Sequence, residues 1–246
     1  MAEKNVAKGS LLYDGKEKQV YASSSKELVI MHYKDDITAF NGQKKGQIDG
    51  KGIISNKLSA SFFRFLESRG IPTHFVTRIN DREQLCRSVK IIPLMVIVRN
   101  VAAGTLADRT SQAEGTVLPS PIVELVYKDD VKGNKPVTKD EAVSMGAAGS
   151  DVIEEICKIA LQANDMLCPF LLEKKIKLVD FKLEFGRIED GQIVITDEIS
   201  PDTCRFWDSA TGEKLDKDRF SQDLGKVKEA YNEVWERVGD FRVTGI

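Results

Sequence analysis

The period of apolar and polar residues changes along this chain, and each change predicts an element. Between Lys177 and Trp207, Phe181, Leu183 and Phe185 alternate with Asp180, Lys182 and Glu184, as in a strand with one buried and one charged face. Asp190-Gly191 is a hairpin-turn dipeptide, and Gln192–Ile199 resumes a β-rich run. With Asp190 and Gly191 as the two turn residues, antiparallel register places Glu184 opposite Asp197. Further strands are expected at Leu11–Tyr13, Glu17–Tyr21, Glu27–Tyr33 and Pro72–Ile79. Ile91–Arg99 is apolar without alternation, the pattern of a buried strand.

Helical spacing appears three times. Leu58, Phe62, Phe65 and Leu66 predict a helix over Ser55–Arg69, stopped by Gly70 and Pro72. Ile153, Ile156, Ala160, Ala163 and Leu167 share a stripe over Ser150–Leu172, which Pro169 is expected to kink or end. A last helix is expected from Lys217 to Val238, with Gly239 as its stop. A mainly antiparallel first lobe followed by a larger mixed lobe is the α+β arrangement, with the division at 1–85 and 86–246. The run Asp36–Gly52 carries four glycines and three lysines and is expected to be a mobile basic flap or a disordered surface loop.

Composition narrows the function. A hydrophobic share of 41% with 30% charged residues is that of a folded globular chain, and a net charge of −2 gives no electrostatic case for nucleic acid. Cys86, Cys157, Cys168 and Cys204 form no C-x-x-C pair, and His32 and His74 offer no zinc-ligand spacing. The start MAEKNVAKGS has no apolar stretch of signal-peptide type, and Ile91–Val98, the longest apolar run, is too short to span a bilayer. A cytoplasmic protein with no membrane contact is expected.

Several segments carry candidate chemistry. Two carboxylates facing each other, as Glu184 and Asp197 do in the expected register, repel. A divalent cation reverses that sign, so the pair is either a metal–nucleotide site or two solvated carboxylates. Lys16, Lys18 and Val20 follow Gly15 on one strand face, suited to phosphates and a base, and equally to a protected edge strand. Arg99 ends the buried strand and opens into Asn100–Thr105, a set of guanidinium, backbone N–H and hydroxyl donors that suits phosphate or carboxylate. Ser200–Arg205 and Asp216–Arg219 gather further hydroxyl, carboxylate and cationic groups.

Together these segments resemble one family. GKEKQVY at 15–21, RNVAAGTL at 99–106, VDFKLEFG at 179–186, DEISPDTCR at 197–205 and DKDRF at 216–220 are similar to the phosphoribosylaminoimidazole-succinocarboxamide synthase (SAICAR synthetase) family of purine biosynthesis, in order over about residues 10–238. No region is left over for the carboxylase domain of some members, so the monofunctional bacterial type is implied. The resemblance implies two α+β lobes around a nucleotide cleft, reminiscent of protein kinases and ATP-grasp enzymes. It implies an ATP- and Mg²⁺-dependent ligase that joins the carboxylate of carboxyaminoimidazole ribonucleotide (CAIR) to the amine of L-aspartate, and a homodimer. By analogy with other ATP-dependent amide ligases, ATP phosphorylates the CAIR carboxylate and the amine then displaces phosphate.

Residue by residue, Lys16, Lys18, Val20, Ile91 and Lys128 are implied to bind ATP, with Glu184 and Asp197 as its Mg²⁺ carboxylates. Arg99, Thr105, Asp180, Asp202 and Arg205 are implied to bind CAIR, with Lys217 and Arg219 beside them. Asp180, Lys182 and Arg219 stand nearest the chemistry. Thr105 keeps a hydroxyl where serine is commoner, and Asn41 stands where some members carry Asp. A kinase-like phosphotransferase on a small anionic acceptor and a nucleotide-binding module without turnover use the same lysines and carboxylates.

Overall fold

The computed structural model describes residues 6–129 and 133–242; the side chain of Asn41, where the family substitution falls, lies outside the described set. Two sheets carry the molecule. The first is formed by β1 (Lys8–Asp14), β2 (Lys18–Ser23), β3 (Leu28–Tyr33), β6 (Phe75–Arg78) and β7 (Glu83–Arg87), in the order β1-β2-β3-β7-β6. Lys18 pairs with Tyr33 and Val20 with Met31, so Lys18 and Val20 share one sheet face.

The second sheet begins at β8 (Lys90–Val101) and adds β9 (Val117–Tyr127), β10 (Lys135–Val137), β11 (Ile176–Arg187), β12 (Ile193–Thr196) and β13 (Cys204–Asp208). β11 is central: β8 pairs along one side, while β13 and β12 share the other, end to end. Its buried residues Phe181, Leu183 and Phe185 alternate with Asp180, Lys182 and Glu184, as the sequence pattern requires. The sheets are joined where Thr73 bridges Ile195, reinforced by Ile195 N–H to Pro72 O at 3.0 Å and His74 N–H to Ile195 O at 2.8 Å.

Helices close the core. α1 (Lys51–Glu67) buries Leu58, Phe62, Phe65 and Leu66 and packs on α6 (Val227–Val238), while α4 (Ser150–Glu173) covers β8 and β11. Short α2 (Thr105–Thr110), α3 (Lys139–Ser144) and α5 (Asp218–Ser221) complete the set. One apolar cluster runs through α1, α4, β8, β11 and α6, so the two sheets rest on a continuous core.

Three expectations are corrected and one is narrowed. The β11–β12 loop has three residues, with Ile188 still bonded to Gln192 and Gly191 at φ 90°, so Glu184 faces Thr196 and not Asp197. The segment 36–52 is not a structureless flap: β4 (Asp36–Ala39) and β5 (Lys44–Gln47) form a hairpin, and α1 starts at Lys51. Gly46 lets that hairpin lie against Phe220, since a Cβ there would stand 2.9 Å from the ring. Of the two outcomes expected at Pro169, a kink or an end, the end does not occur: α4 runs on through it, and Asp165, whose carbonyl it leaves unbonded, is on the exposed face. The last predicted helix is split into α5 and α6 by left-handed Asp223, Gly225 and Lys226.

β9 carried no strand pattern because Pro119 and Pro121 interrupt it. They are tolerated because β10 pairs only with Leu125, Val126 and Tyr127, leaving the proline half an edge.

Candidate active site

The two sheets face each other across a cavity of ≈ 1180 Å³. Lys16, Lys18, Val20, Ile91, Lys128, Glu184 and Asp197 line it, and so do Arg99, Thr105, Asp180, Lys182, Asp202, Arg205 and Lys217. Arg219 is the exception. Its guanidinium is bonded to Glu213 at 2.7 Å and to the carbonyls of Gly225, Lys214 and Leu224, so it ties the 213–225 turns together rather than facing the cavity.

At one end the wall is apolar and cationic: Val20, Val29, Met31, Ile91 and Met95 lie beside Lys16 and Lys18. Lys18 Nζ stands 2.5 Å from Asp197 Oδ1 and also pairs with Glu198. Burial works against its charge, but Asp197 and Glu198 outweigh burial and hold its pKa well above the ordinary lysine value. Lys128 Nζ lies 2.5 Å from Glu184 Oε2.

Asp197 reaches this group although it misses the expected register. It follows the last residue of β12 at φ 64°, a left-handed conformation that turns its side chain back into the cavity. The two carboxylates are shifted in opposite directions. Burial and the Asp197 charge raise the Glu184 pKa, whereas Lys18 and Lys182 overcome burial and lower that of Asp197. Lys182 is itself raised, since Asp197, Glu17 and Glu184 outweigh its desolvation.

At the other end, Arg99 and Arg205 share Asp180. Arg99 Nη1 donates to Asp180 Oδ2 at 3.0 Å and Arg205 Nη1 donates to the same oxygen at 2.8 Å. Arg99 Nη2 reaches Thr105 Oγ1 at 3.3 Å, and Arg205 Nε donates to Asp218 at 2.8 Å. Gly104 makes this approach possible: it adopts φ 49°, and a Cβ there would stand 2.7 Å from Arg205 Nη2.

Asp202 lies on the same wall and is held by two side chains. Oδ2 is 2.5 Å from Lys51 Nζ and Oδ1 accepts from Tyr231 at 2.8 Å, with side-chain exposures of 2% for Lys51 and 1% for Asp202. Burial is overcome by Lys51 and Lys217, which hold this carboxyl down at about 2. It braces the turn that leads into β13 and lines the cavity as well.

Sequence reasoning missed several residues of this wall. Glu17 accepts from Lys217 at 2.5 Å, Glu198 is buried with one oxygen unpartnered, and buried Asp216 is pushed up to about 8 by desolvation and Asp218. Glu198 was within reach of the motif that holds Asp197. Lys51 and Tyr231 gave no local signal, because their partner is more than a hundred residues away for Lys51 and lies on another element for Tyr231.

Two carboxylate groups could hold a cation. The donor atoms of Glu17, Glu198 and Asp202 lie within 4.8 Å of one another. Both Asp202 oxygens are already engaged by Lys51 and Tyr231, which makes that trio a poor host. Glu184 and Asp197 line the cavity, each engaging a lysine through one oxygen, and two carboxylates are the protein share of a Mg²⁺–nucleotide site.

The sequence model of the SAICAR synthetase family matches residues 11–238. The chain belongs to the SAICAR synthetase family. The phosphoribosylaminoimidazole-succinocarboxamide synthase of Clostridium botulinum (strain Alaska E43) is 52% identical over 228 residues, covering 93% of this chain and 97% of the relative. The crystal structure of the Ehrlichia chaffeensis synthase matches with a TM-score of 0.92 at 41% identity, covering 95% of this chain and 100% of that one. A SAICAR synthetase solved in complex with ADP matches with a TM-score of 0.90 at 44% identity, covering 96% of this chain and 100% of that one. The α+β fold and the family both stand as the sequence motifs implied. Among the described residues, no helix is long and apolar enough to cross a membrane.

Proposed function

We propose that the cavity holds ATP at its Lys16–Lys18–Val20 end and CAIR at its Arg99–Asp180–Arg205 end, with the reacting groups between them near Lys182. The activity is that of the family: an ATP-dependent ligase joins the CAIR carboxylate to the amine of L-aspartate, giving SAICAR, ADP and phosphate. The observation that carries the placement is a double-arginine fork and a lysine–carboxylate cluster in one cavity. The ADP complex of a 44% identical relative supports the nucleotide end.

An amine does not displace oxide from a carboxylate, so a better leaving group is needed. A carboxylate oxygen of CAIR attacks the γ-phosphorus of ATP, and ADP leaves. The aspartate amine then adds to the acyl carbon, loses its proton, and phosphate departs with that oxygen. Positioning and charge neutralisation dominate such transfers. Lys16 and Lys18 neutralise phosphate oxygens, and Val20 and Ile91 flank the base. Arg99, Thr105 and Arg205 hold CAIR anions, while half-buried Lys182, its charge favoured by Asp197, Glu17 and Glu184, faces the transferring group. Glu184 and Asp197 would hold Mg²⁺, which would supply charge neutralisation for the phosphates of ATP. The hairpin of β4 and β5, beside Lys217 and Glu17, is where L-aspartate enters.

A cytoplasmic homodimer completes this reading. The four unpaired thiols suit a reducing compartment, and exposed Met166 and Leu172 offer apolar surface to a second copy. A solution mass twice that of the chain, by light scattering, is the expected result.

Phosphate release from ATP tests the reaction. Rapid release only when CAIR and L-aspartate are both present, matched by amide formation, is expected. Phosphate transfer to an acceptor without aspartate consumption overturns the ligase in favour of a phosphotransferase.

A further inference from the structure

Glu124 on β9 does not line the large cavity, yet it holds Arg99, which does, and pairs with Arg109 on the helix that carries Thr105. Its Oε2 accepts from Arg99 Nε at 2.6 Å, and its Oε1 pairs with Arg109 on α2. In the β8–β9 ladder Arg99 pairs with Ile122 and Ile97 with Glu124. Glu124 is therefore the diagonal neighbour of Arg99 on the same sheet face, within reach of a long side chain.

We infer that Glu124 is a positioning residue for CAIR binding, fixing both the guanidinium plane of Arg99 and the helix that carries Thr105. This rests on the reading of the Arg99–Arg205 end given above. Arg99 is held at three edges: Nε by Glu124, Nη1 by Asp180 and Nη2 by Thr105. Asp180 is divided between two arginines, so it cannot balance both charges. Glu124 supplies the counter-charge that Arg205 does not share. Burial and the neighbouring Arg205 both depress the Arg99 pKa, and Asp180 opposes them.

The second hold is on α2. This helix is six residues long and carries Thr105 at its start and Arg109 near its end. Arg109 pairs with Glu124, so α2 is tied to the same carboxylate that holds Arg99, while its Thr105 hydroxyl accepts from Arg99 Nη2. One carboxylate outside the cavity thus sets two donors inside it. Misplacing such donors by an ångström costs up to about a hundredfold in rate.

The test compares steady-state constants for all three substrates. The wild-type enzyme is measured first, and its failure to convert CAIR would sink the site reading itself, before any variant is compared. Glu124→Gln keeps the side-chain size and removes the charge. The expected result is a KM for CAIR raised about tenfold, with KM for ATP changed less than about twofold and kcat lowered less than KM is raised. An unchanged KM for CAIR, or equal rises for all three substrates, overturns the inference. Arg109→Ala decides the matter if Glu124→Gln does not fold, since Arg109 is 48% exposed and its loss opens no core. A CAIR-selective rise of about two- to threefold supports the inference, and no rise overturns it.

Discussion

Arg99 and Arg205 donate to one oxygen of Asp180, at 3.0 and 2.8 Å, although they reach it from strands on opposite sides of β11. A single carboxylate thus holds two guanidinium groups together at one end of the cavity. Asp180→Asn takes the charge from both. Leaving buried guanidinium charge under-compensated costs about 3–5 kcal/mol, so a lower Tm is expected. KM for CAIR should rise at least about tenfold while KM for ATP stays within about twofold. Steady-state kinetics in each substrate, with a thermal melt, check both.

Glu184→Gln and Asp197→Asn should each cut turnover by about a hundredfold or more, since each removes a carboxylate from the Mg²⁺ pair. Their stabilities should move apart. Burial and Asp197 raise the Glu184 pKa, so its ionised form is disfavoured in the fold and the neutral glutamine relieves it. Lys18 and Lys182 lower the Asp197 pKa, so its charge is favoured and its loss destabilises. Melts in chelator should place Glu184→Gln at or above wild type and Asp197→Asn below it.

The Lys51–Asp202 pair gives a pH signature. The Asp202 carboxyl, held near 2 against an ordinary 3.8, contributes stability that is present above 3.8 and lost as pH falls through about 2. That difference is worth about 2 kcal/mol. Urea titrations from neutral to strongly acid pH should show this loss in wild type. Asp202→Asn should be less stable by about 3 kcal/mol or more at pH 7, because Lys51 is then buried alone, and its acid loss should be shallower.

Gly104→Ala probes the close approach at Arg205. A residue other than glycine at φ 49° is strained by about 1–3 kcal/mol, and the added methyl would meet Arg205 Nη2 at 2.7 Å. A lower Tm and a several-fold rise in KM for CAIR are expected, with KM for ATP preserved. Equal loss of both affinities would count against the placement of CAIR at this end.

The alternation in β11 made its charged face legible, and with it Asp180, Lys182 and Glu184, because a two-residue period needs no tertiary information. Register was less legible. A third loop residue moved Thr196 opposite Glu184, and only the left-handed backbone of Asp197 restored the carboxylate to the cavity. Arg219 shows the limit of a motif: its neighbours Lys217 and Asp218 line the cavity while its own donors close a turn. Glu124, Lys51 and Tyr231 were silent in sequence because each acts through a partner distant along the chain. The 36–52 hairpin was hidden by its polar, glycine-rich composition: its strands are four residues long, only Ile37 and Ala39 of β4 form a buried apolar face, and β5 packs on Phe220 through Gly46.

The central claim is that ATP activates the CAIR carboxylate before the aspartate amine attacks. CAIR carrying heavy oxygen in that carboxylate tests it directly, with the released phosphate examined by mass spectrometry. One labelled oxygen in each phosphate, at the same rate as amide formation, is the predicted result. Amide formed with unlabelled phosphate, the label passing to water, would contradict it.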